Sequence, residues 1–138
     1  MAKKKTYFQA ICYTTDHCDG DLIAPSCWQP SQDRELAAED IMQEITESFS
    51  GILLRTKKHP GPDYLTIEYR FDTTESTEWR FKIVKNWKRN KDFFAMLQKG
   101  LADGTITTVM VNVPEYLNYW GVMIEKRSDV FHINQFTI

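Results

Sequence analysis

Two alternating segments constrain the fold most. In Tyr64–Phe71, Leu65, Ile67, Tyr69 and Phe71 alternate with Tyr64, Thr66, Glu68 and Arg70. In Glu78–Lys85, Trp79, Phe81 and Ile83 alternate with Glu78, Arg80, Lys82 and Val84. Successive strand side chains point to opposite faces, so a period of two predicts strands with one buried and one solvated face. The apolar set of each strand is expected to supply the buried face. The polar run Thr73-Thr74-Glu75-Ser76-Thr77 joins them as a hairpin. A turn centred near 74–75 puts Glu78 opposite Phe71 and Asp63 opposite Lys85 or so.

Helical patterns flank this hairpin. Residues 33–50 place Ala38, Ile41, Met42, Ile45 and Phe49 on one face, with Ser31 or Asp33 as the cap and Gly51 at the C-terminal stop. Residues 87–102 place Trp87, Phe94, Leu97 and Leu101 on one face, opened by Asn86 and closed by Gly104. Residues 5–14 read as a first strand, residues 52–57 as a short one, and 105–113, 118–126 and 130–138 as three more. Pro114 marks one connection among these and Arg127-Ser128-Asp129 another. Residues 15–31 carry Gly20, Pro25 and Pro30 and read as a long loop of the kind that often has a function. The expected fold class is α+β in β-α-β-β-β-α-β-β-β order, a largely antiparallel twisted sheet with two amphipathic helices packed on it.

Length and composition suit one domain over residues 1–138. Eight Phe, six Tyr and four Trp supply a core and exclude a disordered chain. No apolar run approaches the roughly 18 residues of a membrane span. The basic start Met1–Thr6 is followed by Tyr7–Tyr13 without a small-residue cleavage site, so no secretory signal is expected. An odd set of cysteines, Cys12, Cys18 and Cys27, fits a reducing cytoplasm better than a disulfide framework. Cys12, in a strand-like stretch, is expected to act as a small buried hydrophobe.

Charge is strongly polarised. Between Tyr13 and Ser50 there are nine acids against the single base Arg34. Between Arg80 and Lys99 there are seven bases against the single acid Asp92. On a helix, Asp33, Asp40, Glu44 and Glu47 form a stripe opposite the apolar face, packing like charges at i,i+3 and i,i+4 spacing. Such a stripe is a solvated face, a dock for a basic partner, or an internal match for Lys88, Lys91 and Lys99 should both helices share one sheet face. The basic segment interleaves Trp87, Phe93 and Phe94, which suits single-stranded nucleic acid; those rings are wanted in the core, however, and the pI is about 5.9.

The catalytic signatures are weak. The order α-β-β-β-α-β resembles the core of PD-(D/E)xK nucleases, and Pro62-Asp63 with Glu78-Trp79-Arg80 is similar to their motif, Arg standing for the usual Lys. That resemblance implies a shared metal on Asp63 and Glu78, with Arg80 beside it, and hairpin register argues against it. Ser26-Cys27-Trp28, with His132 and Asn134 downstream, resembles the papain nucleophile; the upstream Gln and Cys-Gly pair are missing. His17, Cys18, Asp19, Asp21 and Cys27 have metal-ligand chemistry but match neither zinc nor calcium spacing. No Walker loop, GxGxxG, HExxH or GxSxG occurs. No cofactor or metal is therefore expected.

The expected function is a non-enzymatic protein-binding inhibitor. By analogy of class alone, toxin-neutralising immunity proteins and phage-encoded inhibitors are small cytoplasmic proteins of this type. Asp19, Asp21, Trp28, Asp33, Asp40, Glu44 and Glu47 are the candidate contacts with a basic, nucleic-acid-handling protein partner, Trp28 as anchor. The alternatives are the metal-dependent nuclease on Asp63, Glu78 and Arg80, and a small-ligand domain with a pocket between helix and sheet. No membrane partner is expected.

Overall fold

The computed structural model describes residues 4–16, 26–49, 61–72, 74–118 and 120–138. Strand β1 (Thr6–Asp16) is followed by β2 (Ser26–Cys27), helix α1 (Arg34–Phe49), β3 (Leu65–Asp72) and β4 (Thr77–Val84). Then come helix α2 (Lys91–Asp103), β5 (Ile106–Val113), β6 (Tyr116–Leu117), β7 (Met123–Ile124) and β8 (Arg127–Thr137). Six strands form one antiparallel sheet in the order β2-β1-β8-β5-β3-β4, and β6 and β7 form a separate small hairpin. The α+β class and the antiparallel sheet are as expected.

Both helices lie on one sheet face. Arg34, at the start of α1, donates from Nε to the Leu101 carbonyl near the end of α2 at 2.8 Å, so the helices run antiparallel. Ala38, Ile41, Met42, Ile45 and Phe49 of α1 are buried, as their spacing requires. They meet Leu97 and Leu101 of α2, and beneath them Ala10, Leu65, Ile67, Val109, Val111 and Phe131 of the sheet. Gly100 lets α2 settle on β5, since a Cβ there would overlap the Ile106 side chain. Gly104 takes φ 85° and donates back to the Gly100 carbonyl at 3.0 Å, closing α2 where the sequence placed its stop. Asn86 accepts from the Arg89 amide at 3.2 Å, which caps a short 3-10 turn (Lys88–Asn90) ahead of α2.

The hairpin register is the expected one, Phe71 opposite Glu78 and Leu65 opposite Val84. One consequence corrects the sequence reading of β4. The buried set of β3 (Leu65, Ile67, Tyr69) shares the helix face with Val84, Lys82 and Arg80, whereas Trp79, Phe81 and Ile83 lie on the opposite, open face. They are 51%, 67% and 49% exposed. The apolar phases of the two strands are opposed, and β4, at the sheet edge, is where that mismatch is tolerated.

Three other expectations change. The 118–126 segment is not one strand. Asn118 Oδ1 accepts from the Trp120 and Val122 amides at 3.0 and 2.9 Å, and Gly121 takes φ 74°, so the chain turns between β6 and β7. Arg127-Ser128-Asp129 is not a connection; it begins β8, which pairs with β1 from Thr6↔Thr137 to Asp16↔Arg127. Part of the 15–31 loop is strand, β1 running on to Asp16 and β2 pairing Ser26 with Cys12. The strand expected at 52–57 and the stop at Gly51 lie outside the described residues. Among the described residues no helix is long and apolar enough to cross a membrane.

Candidate functional site

Helix α1 begins on a double cap. The Asp33 amide donates to Ser31 Oγ at 3.0 Å, and Asp33 Oδ1 accepts from the Glu35 amide at 2.9 Å. The carboxylate of Asp33 thus sits on the positive end of the helix. Asp40, Glu44 and Glu47 follow it along the outer side. Glu47 accepts from Gln43 Nε2 at 3.1 Å, and Glu44 from Ser48 Oγ at 3.0 Å. These are neutral donors. Among the described residues the ion pairs are Arg70–Asp72, Arg80–Glu78 and Arg127–Asp129, and none involves α1. The single base of the helix, Arg34, turns inward over the Phe8 ring at 5.7 Å, and burial lowers its pKa. Both helices share one face, yet no lysine of α2 pairs with the acids of α1. The charges on the outer face of α1 are therefore all acidic.

Beside that face lies a cleft of about 230 Å³. Glu44 and Ser48 of α1 form one wall, Cys12 and Thr14 of β1 with Asp129 and Arg127 of β8 the floor, and Trp28 the rim. Strand register assembles the floor, because Cys12 pairs with Phe131 and Thr14 with Asp129. Trp28 is fixed through its backbone: its amide donates to the Ala10 carbonyl at 3.1 Å and its carbonyl accepts from Gln9 Nε2 at 3.0 Å. Its half-buried ring packs on the core.

Asp129 is the unusual group here. Its side chain is about nine-tenths buried on the helix side of the sheet. Oδ2 meets the Arg127 guanidinium at 3.3 Å, while Oδ1 is buried with no hydrogen-bond partner among the described residues. A buried carboxylate oxygen without a donor costs on the order of 1–3 kcal/mol, more where charge is involved. The Arg127 guanidinium also stacks over Phe49 at 5.6 Å. With Glu44, Asp129 and Arg127, the cleft carries one net negative charge. Burial chiefly, then Asp129 and Glu44, pushes the Cys12 thiol up to about 12, which makes it a half-buried inert group rather than a nucleophile.

The predicted site residues divide as follows. Trp28, Asp33, Asp40, Glu44 and Glu47 are brought onto α1 and its adjoining cleft. Asp19 and Asp21 lie outside the described residues, as do His17 and Cys18 of the metal-ligand set. Asp63 stands ahead of β3, whereas Glu78 is at the far end of the hairpin, so the two carboxylates are not brought together. At ~3.3 Å per residue they are roughly 20 Å apart or more. Glu78 pairs instead with Arg80 at 3.1 Å, which lowers its pKa. Cys27 and His132 share the open face in register with Ile11, but Ile11 stands between them, two strand spacings or about 10 Å apart. That is too far for a thiol–imidazole hydrogen bond. His132 stacks on Tyr13 at 5.4 Å, and burial lowers its pKa. No group of three or more His, Cys, Asp or Glu among the described residues is placed to hold a metal.

In the basic segment the rings turn inward: Trp87 stacks on Phe94 at 4.2 Å, and Phe93 packs against Tyr69 at 5.6 Å. Lys88, Arg89 and Lys91 are left exposed. The aromatic groove between the helices, with Met42, Trp87 and Phe94 among its lining, is open to solvent and lies between the helices rather than between helix and sheet.

Sequence reasoning missed Asp129, Arg127, Thr14 and Ser48. A signal for Asp129 existed: carrying the alternation of Phe131 and Ile133 back by two residues puts Asp129 on the core side. No protein-family model, curated protein or solved structure matches this chain.

Proposed function

We propose that this protein acts by binding a protein with a basic surface, as toxin-neutralising immunity proteins and phage-encoded inhibitors do, in a reducing cytoplasm. The outer face of α1 and the cleft beside it form the contact. The observation that supports this is the acidic face of α1, without a cationic partner among the described residues, running into a cleft whose buried Asp129 oxygen lacks a donor. A lysine or arginine presented by the partner meets Glu44 at the wall of the cleft, the hydroxyls of Thr14 and Ser48, and the Trp28 rim. Asp40 and Glu47 supply the surrounding field, which raises the rate of encounter and favours basic partners over neutral ones. Blocking a nucleic-acid-handling partner follows from the same charge pattern, because such proteins carry the basic surfaces that bind phosphate.

The test is capture from source-cell extract by the wild-type protein and by Asp40→Lys/Glu44→Lys, with bound proteins identified by mass spectrometry. The expected result is a stoichiometric basic protein that is retained by the wild type, lost in high salt, and bound at least about tenfold more weakly by the double variant. Unchanged folding is expected, because neither carboxylate is in an ion pair among the described residues. Equal capture by both proteins would remove α1 from the contact. Recovery of nucleic acid alone would point to Lys85–Lys91 instead.

A further inference from the structure

We infer that β4 is a self-association edge, and that two copies of this chain pair antiparallel through it, residue 80 facing residue 80 of the second copy. The outer side of β4 has no strand partner among the described residues. It runs eight residues without proline, and its pairing with β3 is unbroken over all eight. Short length, proline and bulges, three of the devices that blunt a sheet edge, are absent here; the charges of Glu78, Arg80 and Lys82, a fourth, are present, so the register of a pairing must bring them into opposite-sign contact. The opposite edge is different, since β2 has two residues and Ser31 pairs with Phe8 beside it.

The side chains of β4 say which partner fits. Trp79, Phe81 and Ile83 form an exposed apolar row on the open face. On the helix face Arg80 lies over Phe71 at 4.9 Å and Lys82 over Phe93 at 5.7 Å.

A two-fold axis perpendicular to the sheet joins two such edges into one continuous sheet and keeps both helix layers on the same side. That symmetry requires a residue to face its own copy at the centre. Two registers overlap over seven residues. Centring on Phe81 sets Arg80 against Lys82 twice, a repulsive arrangement. Centring on Arg80 sets Glu78 against Lys82 twice and Trp79 against Phe81 twice, with Thr77 facing Ile83. Directly opposed pairs of opposite charge or of aromatic rings each favour pairing. The two central Arg80 guanidiniums face each other, a like-charge contact that each chain's Glu78, 3.1 Å from its own Arg80, reduces while it also faces the second copy's Lys82. The Arg80-centred register thus has two opposite-charge facings against one like-charge facing, whereas the Phe81-centred register has two like-charge facings and no opposite-charge one. The surface is separate from α1, so this inference does not depend on the proposed function.

Seven paired residues a side are far fewer than the roughly 20–30 of a standard interface, so an affinity of about micromolar or weaker is expected. Sedimentation velocity from about 1 µM to about 500 µM should show a reversible monomer–dimer shift, and Phe81→Glu should weaken it about tenfold or more. Register is read by mild oxidation in a Cys18→Ser/Cys27→Ser background. Arg80→Cys should form a symmetric disulfide, because directly opposed Cα atoms lie about 4.5–5.5 Å apart. Phe81→Cys should form little, its counterpart lying two residues away. A chain that stays monomeric throughout, a dimer indifferent to Phe81→Glu, or cross-linking at 81 as fast as at 80 would each overturn the inference.

Discussion

Replacing Phe81 by Thr should cost far less stability than replacing Ile67 by Ala, although both residues look like core positions of the same hairpin. Ile67 is fully buried under the helices, and Phe81 is two-thirds exposed on the other face. Removing a buried isoleucine to alanine costs about 2–5 kcal/mol through lost transfer energy and the cavity left behind. Full burial of a phenylalanine is worth about 1.5–3 kcal/mol, so a ring one-third buried contributes roughly 0.5–1 kcal/mol. Threonine retains strand propensity, which keeps backbone effects out of the comparison. Urea unfolding at low micromolar concentration measures both; the midpoint should fall at least about twice as far for Ile67→Ala, with the slope unchanged. Equal costs would refute the face assignment and imply that the open face of β4 is covered.

Two further outcomes follow from the packing and the cleft. Gly100→Ala should destabilise by about 1 kcal/mol or more, because overpacking against Ile106 outweighs the ~1 kcal/mol gain in helix propensity; adding Ile106→Ala, which removes both overlapping carbons, should give a loss smaller than the sum by about 1 kcal/mol, read in a double-mutant cycle of unfolding free energies. Cys12 should resist alkylation in the native protein at pH 8, where a thiol near 12 is ionised in only roughly one molecule in 10,000, while exposed Cys27 reacts, as peptide mass mapping would show. Because the folded state raises the Cys12 thiol from its ordinary 9.0, its contribution to stability is intact below pH 9 and is lost as pH rises toward 12. Rapid native labelling of Cys12 at pH 8 would contradict the burial that shields it.

Much of the fold was legible locally. The apolar spacing of α1, the Ser31–Asp33 cap and the Gly104 stop are short-range features, set by backbone geometry and by the hydrogen bonds of the first and last turns. The β3–β4 register followed from turn length, which fixes pairing within a hairpin. That same register already implied that Leu65, Ile67, Tyr69 and Phe71 share a face with Glu78, Arg80, Lys82 and Val84, and hence that the two apolar rows point apart. The turn at Asn118–Val122 was also readable, in an asparagine whose side chain takes two amides and a glycine free to adopt positive φ.

Periodicity shows that a strand has two faces, but a face becomes core only when something covers it. Here α1 and α2 cover one side of the sheet, so Ile67 is interior and Phe81 is surface. The same holds for Arg127-Ser128-Asp129, whose polarity suggests a turn but whose eleven-residue partner β1 draws it into a strand. The acidic composition of α1 is written in its residues. The absence of lysine partners among the described residues and the approach of Glu44 to Asp129 and Cys12 depend on how far the helices stand apart and on which strands lie beneath them. Local sequence determined the two helices, the cap of α1, the stop of α2 and the sign of the charge on each element. The strand order β2-β1-β8-β5-β3-β4, the exposed edge at β4 and the cleft beside α1 were decided by tertiary packing, because burial and charge pairing are set by neighbours distant in the chain.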